Sequence, residues 1–296
     1  MTSAPQQATV RRMHDLTVPR PAGGVLHGYD TGPTGRADEL VVLWHGGTPN
    51  TGEPPAPLLA AAQAAGVRFL GADRPGYGGT TRDPDADIAD VVPDALAIAD
   101  AVGVDRFAVL GHSGGGPRAL ACAALAPSRV LAAIAVSSPA PPDADGLDRY
   151  RGMAPGIQRE QRAVVAGRAA LDAVLAADEW DETAFTAGDL AALEGEWGWF
   201  GGVVAAANAS GPDATADDLL AAGRAWGFDL GAVAVPVLVV HGAADRMVPL
   251  QHGEWLAAHV PGAEVAIVPD AGHIAVLVQG PPLVPALRRL AASVRS

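Results

Sequence analysis

The sequence contains no lysine, a single cysteine and no long apolar run, and each shortage removes a class of chemistry. All 20 basic side chains are arginine. Without lysine there is no P-loop phosphate lysine, no Schiff-base nucleophile and no Ser–Lys dyad. The one cysteine, Cys122, excludes an internal disulfide and a multi-cysteine zinc site. Its Ala- and Leu-rich surroundings mark it as a small buried side chain. Positive charge is scarce: 33 acidic residues against 20 basic give a formal net charge of −13. Such a surface repels a phosphate backbone, and no Arg cluster offsets it locally, so no nucleic-acid partner is expected. No stretch reaches the roughly 18 uninterrupted apolar residues of a membrane span. Arg11 and Arg12 have no apolar segment behind them to make a signal peptide. A cytoplasmic protein without membrane contact is therefore the default expectation.

What is present is ample core material. Of 296 residues, 49% are hydrophobic and 18% charged, which fits one large α/β domain or a core domain carrying an insertion. Short β-type runs alternate with Ala/Leu-rich helical segments. Val25–Tyr29 reads as an early strand; Glu39–Trp44, Val67–Ala72, Phe107–Gly111, Val130–Val136 and Val235–Val240 read as central strands, with Val265–Val268 a shorter one. Their apolar runs are continuous rather than alternating, as parallel strands buried on both faces require. Helices are expected over Pro57–Ala65, Ile88–Val102, Gly115–Ala126, Gln251–His259 and Pro282–Ser293. The alternation stops after Val136, where a Pro/Ser/Asp-rich stretch leaves the sheet, and only amphipathic helical patterns follow until Phe228. The expected architecture is α/β, a mostly parallel sheet with helices on both faces. Residues 1–139 and 230–296 form its core, with a helical cap inserted at 140–229.

The chemistry centres on Gly111-His112-Ser113-Gly114-Gly115. This G-x-S-x-G follows a strand directly and opens a helix. A serine at so tight a turn needs small neighbours, and the turn sets the Gly114 N–H at a helix N-terminus, where it can stabilise an oxyanion. A dinucleotide site is a competing reading of Gly114-Gly115-Gly116-Pro117-Arg118-Ala119. That reading needs an acid ending the next strand, which instead ends Val136-Ser137-Ser138-Pro139.

A serine needs a base to take its proton and an acid to orient that base. Asp245 lies in the turn after Val235–Val240, and His273 follows Val265–Val268. Their separation, 273 − 245 = 28 residues, accommodates one helix and one strand. The competing role for Asp245 is a helix cap or an ion pair with Arg246, and Asp143 is the fallback acid. Other histidines lie too early, or on what reads as a surface helix (His252 and His259), or flank the site (His45 and His112). A second oxyanion donor is expected from His45-Gly46-Gly47-Thr48, with Gly47 first and Thr48 next. One such donor is typically worth ~3–4 kcal/mol. Asp73-Arg74-Pro75-Gly76-Tyr77-Gly78-Gly79-Thr80 reads as a structural turn.

Taken together, HGGT, DRPGYGGT, GHSGG, HGAADRMVP and DAGH resemble the α/β-hydrolase superfamily in order and spacing across nearly the whole chain. The resemblance implies an eight-stranded sheet, a cap after the sixth strand, and an acyl-enzyme mechanism with no metal and no organic cofactor. Ser113 at the nucleophile position argues against the branches that use aspartate. The HGG start is similar to proline iminopeptidases, but Ser113 is followed by three glycines and Pro117. The expected reaction is hydrolysis of a small-molecule acyl substrate, an ester, thioester or lactone. An aminopeptidase, a C–C hydrolase, a lyase and a ligand-binding non-enzyme of the same fold stay open, as does homodimerisation. Within the cap, Trp180, Trp197, Trp199, Trp226, Phe185, Phe200 and Phe228 are concentrated over 180–228. They serve either an apolar pocket or the seating of the cap. Trp199 and Phe200, beside Gly198, Gly201 and Gly202, are the expected pocket residues, joined by Thr48 and His112. Glu194 and Glu196 read as exposed helix charges.

Overall fold

A computed structural model describes residues 13–177 and 181–294. Eight strands form one sheet: β1 (His14–Pro19), β2 (Val25–Asp30), β3 (Leu40–His45), β4 (Val67–Ala72), β5 (Phe107–His112), β6 (Val130–Val136), β7 (Val237–Gly242) and β8 (Glu264–Val268). Their order is β1-β2-β4-β3-β5-β6-β7-β8; β2 pairs antiparallel with both β1 and β4, and all the other pairs are parallel. Strands β3, β5, β6 and β7 are buried along their whole length, as their unbroken apolar runs require.

Side chains alternate along β3: Val41 and Leu43 join one apolar layer, while Leu40, Val42 and Trp44 join the other. The first layer is completed by helices α2 (Val91–Ala101) and α3 (Gly115–Leu125), and the second by α1 (Ala56–Ala64). Among the described residues five α-helices lie between β6 and β7: α4 (Pro155–Ala166), α5 (Arg168–Ala177), α6 (Ala187–Glu194), α7 (Trp199–Ala207) and α8 (Asp213–Ala222). The chain then returns through β7, α9 (Leu250–His259), β8, α10 (Val276–Gln279) and α11 (Leu283–Ser293), with α9 on the first face and α11 on the second. No helix among the described residues is long and apolar enough to cross a membrane.

Three expectations need correction. Strand β1 carries no continuous apolar run; it is a half-exposed edge strand held by pairing with β2, so hydrophobicity does not announce it. Strand β7 begins at Val237 rather than Val235. Pro236 has no N–H to give to a ladder and contributes only its carbonyl, which accepts from Ala133. His252 is not on an exposed helix face. It is fully buried, accepting from the Ala140 N–H (3.1 Å) and donating to the Arg149 carbonyl (2.9 Å), because residues 140–149 fold back over α9.

Candidate active site

The loops that leave β3, β5, β7 and β8 all emerge at the carboxyl edge of the sheet, where an α/β fold builds its sites. Ser113 sits between β5 and α3 with a left-handed backbone, φ 53°, a strain of about 1–3 kcal/mol that the surroundings must hold. Its N–H donates to the Val136 carbonyl at 2.8 Å, and its carbonyl accepts from Gly116 at 3.0 Å. Glycine is obligatory on either side. A Cβ at Gly111 would lie 2.3 Å from the Gly115 carbonyl oxygen, and one at Gly115 would lie 1.9 Å from that of His45. The turn is thus wedged against the loop after β3.

His273 Nδ1 donates to Asp245 Oδ2 at 2.8 Å, and Oδ1 of the same carboxylate accepts the N–H groups of Met247 and Val248 at 2.9 Å. Both side chains are buried. Burial alone lowers the pKa of His273, but the charge and hydrogen bond of Asp245 outweigh it and leave the imidazole raised above its usual 6.5. Burial raises the Asp245 pKa, and His273 reverses that to leave it lowered. Asp143, the fallback acid, is exposed.

His112 braces the base. Its Nε2 donates to the His273 carbonyl at 3.1 Å, and its ring lies 4.9 Å from that of His273 and 5.5 Å from Phe200. Burial, with the charge of His273 next in weight, pushes its pKa down to about 3, so it stays neutral. Cys122 is buried beside His45 at 3.7 Å, and burial lifts its thiol to about 12, which makes it inert.

Ser113 and His273 open onto one cavity of about 420 Å³. Gly47, Thr48, His112 and Phe200 line it, together with Phe185, Leu193, Val204, Met247 and Ile274. Trp199 does not. It packs against Trp44 and Trp197 (centroids 6.4 Å from each), and its Nε1 donates to Glu53 at 3.1 Å, because the helical turn that points Phe200 inward turns its neighbour toward the core. Trp226 and Phe228 likewise stack on the first apolar layer. Thr48 lines the cavity, but its hydroxyl is committed to Asp218 at 2.6 Å. Glu194 and Glu196 are exposed, and Trp180 lies outside the described residues.

Gly47 is 3.2 Å from Ser113 Cβ when a Cβ is placed on it, and a Cβ on Gly114 would touch the Thr48 hydroxyl at 2.7 Å. The two amides therefore flank the serine. Neither N–H is used by a hydrogen bond among the described residues. Asp73 has the structural role expected of it. Fully buried, it accepts from the N–H groups of Gly52 (2.7 Å) and Gly79 (3.2 Å) and from His27 (2.7 Å).

Two buried acids at this site escaped the sequence reading. Asp189, on α6, accepts from the N–H groups of Ile274 and Ala275, both at 2.7 Å, directly beside His273. Thr186 and Asp189 form a capping box that is visible as T-x-x-D, although its grip on the distant loop is not. Asp218, on α8, binds Arg74, Arg118, Tyr77 and Thr48. An acid on the inner face of a short helix was its only signal.

A serine on a strained strand-to-helix turn and a carboxylate-bound histidine thus share one cavity at the edge of an α/β sheet. The chain belongs to the alpha/beta hydrolase fold family, whose model matches residues 39–279. It is 28% identical over 241 residues to a 2-hydroxymuconate semialdehyde hydrolase of Pseudomonas putida, covering 78% of this chain and 79% of that one. Among solved structures it resembles an esterase from Rhodococcus sp. (TM-score 0.71, 20% identity, 95% of this chain and 99% of that one). It also resembles an enol-lactonase from Burkholderia xenovorans (TM-score 0.66, 21% identity, 90% and 96%). At these identities the structural likeness is one of fold.

Proposed function

We propose that the protein is a serine hydrolase that cleaves an uncharged carboxylic ester, thioester or lactone through an acyl-enzyme on Ser113. His273 Nε2 takes the Ser113 proton as Oγ attacks the carbonyl carbon. The N–H groups of Gly47 and Gly114 hold the oxyanion of the tetrahedral intermediate. As it collapses, His273 gives its proton to the leaving oxygen or sulfur. Water then attacks the acyl-enzyme by the same route and the acid departs. Asp245 fixes the tautomer and stabilises the imidazolium without itself taking the proton.

The observation that carries this reading is the opening of Ser113 and of the Asp245-bound His273 into one apolar cavity. Among the described residues no arginine and no carboxylate lines that cavity, which favours a neutral acyl group over an amino-terminal peptide. The likeness to the 2-hydroxymuconate semialdehyde hydrolase favours a second reading, C–C hydrolysis by the same triad. A muconate is an anion, and the lack of a lining arginine supports the ester first. The test is turnover of p-nitrophenyl esters of increasing chain length, with fluorophosphonate labelling, in wild type and Ser113→Ala. Turnover and labelling that vanish in the variant support the reading. A wild type that neither turns over nor labels overturns it.

A further inference from the structure

The oxyanion side of the site rests on a buried ion cluster whose acid comes from the helical insertion. Asp218 is 7% exposed and accepts from Arg74 in a two-point fork, Nε to Oδ1 at 3.0 Å and Nη2 to Oδ2 at 2.8 Å. Arg118 Nη2 also donates to Oδ1, and the hydroxyls of Thr48 (2.6 Å) and Tyr77 (3.2 Å) donate to Oδ2. The arginines spend their remaining donors on backbone. Arg74 Nη1 donates to the Gly46 carbonyl (2.9 Å) and Nη2 to that of Gly47 (2.6 Å), while Arg118 Nη1 donates to that of Gly114 (2.5 Å).

The consequence follows from the planarity of the peptide. The Gly46–Gly47 and Gly47–Thr48 bonds are trans, so a carbonyl drawn toward Arg74 sends the N–H on its far side the opposite way. Arg74 thereby sets the direction of the Gly47 N–H, and a cation on the carbonyl polarises that amide into a stronger donor. Arg74 is fixed in turn by Asp218. Burial raises the pKa of Asp218, yet Arg118 and Arg74 overcome this and hold it at about 2, so the carboxylate stays ionised. Burial, reinforced by Arg74, lowers Arg118 only to about 10, so it stays a cation.

We propose that Asp218 is a positioning residue for the oxyanion hole, acting through Arg74, so that transition-state stabilisation depends on α8 being seated on the core. This rests on the serine-hydrolase reading above. The test compares wild type, Asp218→Asn and Arg74→Lys on p-nitrophenyl butyrate, with active sites counted by fluorophosphonate. Each is also inhibited with an alkyl trifluoromethyl ketone, which forms a tetrahedral adduct on serine, and with the matching methyl ketone, which serves as a ground-state analogue. Because one oxyanion donor carries ~10²–10³ in kcat, misdirecting it should lower kcat per active site by roughly thirtyfold or more. KM and methyl-ketone affinity should stay within about threefold of wild type while trifluoromethyl-ketone affinity falls with kcat.

Arg82→Gln serves as the control. It breaks the Arg82–Asp217 pair (2.6 Å), which ties the same helix to the core away from the loop, and should leave kcat unchanged. Should Asp218→Asn fail to fold, Arg74→Lys keeps the charge pair but cannot span both carbonyls, and the same criteria apply to it. Variants whose kcat per active site stays near wild type, or whose two ketone affinities fall together, overturn the proposal. An unlabelled, inactive wild type overturns the hydrolase reading itself and this one with it, whereas a labelled wild type with insensitive variants overturns the positioning role alone.

Discussion

The two flanks of the site are held by opposite chemistry. On the base side, carboxylates collect N–H groups: Asp245 takes Met247, Val248 and His273, and Asp189 takes Ile274 and Ala275. On the oxyanion side, guanidinium groups collect carbonyls, with Arg74 on Gly46 and Gly47 and Arg118 on Gly114. In the proposed mechanism His273 becomes a cation, and a flank rich in buried negative charge favours that state. In that mechanism the oxyanion is met by N–H groups, and the cation on the Gly46 carbonyl faces the Gly47 donor forward. The helices between β6 and β7 supply one buried acid to each flank, Asp189 from α6 to one and Asp218 from α8 to the other.

This division predicts distinct signatures. The largest effect is expected for Asp245→Asn. Loss of the orienting acid should lower kcat about 10⁴-fold, and the acid limb of kcat/KM, expected above pH 6.5 in wild type because Asp245 raises His273, should move to lower pH. The direction follows because the base acts only when neutral, and removing the anion that raises its pKa lets it lose its proton earlier. Asp189→Asn should produce the same shift in weaker form, since the Asp189 charge also raises His273, with kcat down about ten- to a hundredfold from loosening of the loop. Asp218→Asn, despite a comparable loss in kcat, should leave the acid limb in place. A pH–rate series on the three variants checks the contrast, and an equal shift in all three would erase it.

Smaller effects probe the cavity and its border. A Cβ on Gly201 meets nothing within 4 Å, so Gly201→Leu should fold and fill the cavity mouth. That variant should lower kcat/KM for long acyl chains by about tenfold while sparing acetate, a size effect worth about 1–3 kcal/mol. Trp199→Phe should cost about 1 kcal/mol in denaturant unfolding through the lost bond to Glu53, with no change in chain-length profile.

The flanks also differ in how far they could be read beforehand. Ser113 and Asp245 each follow a long apolar run and His273 a shorter one, and glycine marks the tight turn, so their convergence at one sheet edge was legible. Asp189 and Asp218 were not. Their partners lie 85 and 144 residues away in sequence, and nothing local to α6 or α8 reveals which loop each helix covers. Trp199 and Phe200 show the same limit on a finer scale. Adjacent aromatics in one helix must point apart, and composition does not tell which one faces the cavity. His252 was misread because the segment that buries it comes from a loop without periodicity.

Asp218 bears on how such a chain can be altered. An insertion that carries part of the oxyanion apparatus cannot be exchanged as a cassette to change specificity. On the proposed reading, a chimera with foreign sequence between β6 and β7 would keep Ser113 and the Asp245–His273 pair, but even with its cavity wall rebuilt it would hydrolyse poorly until an acid is restored to reach Arg74.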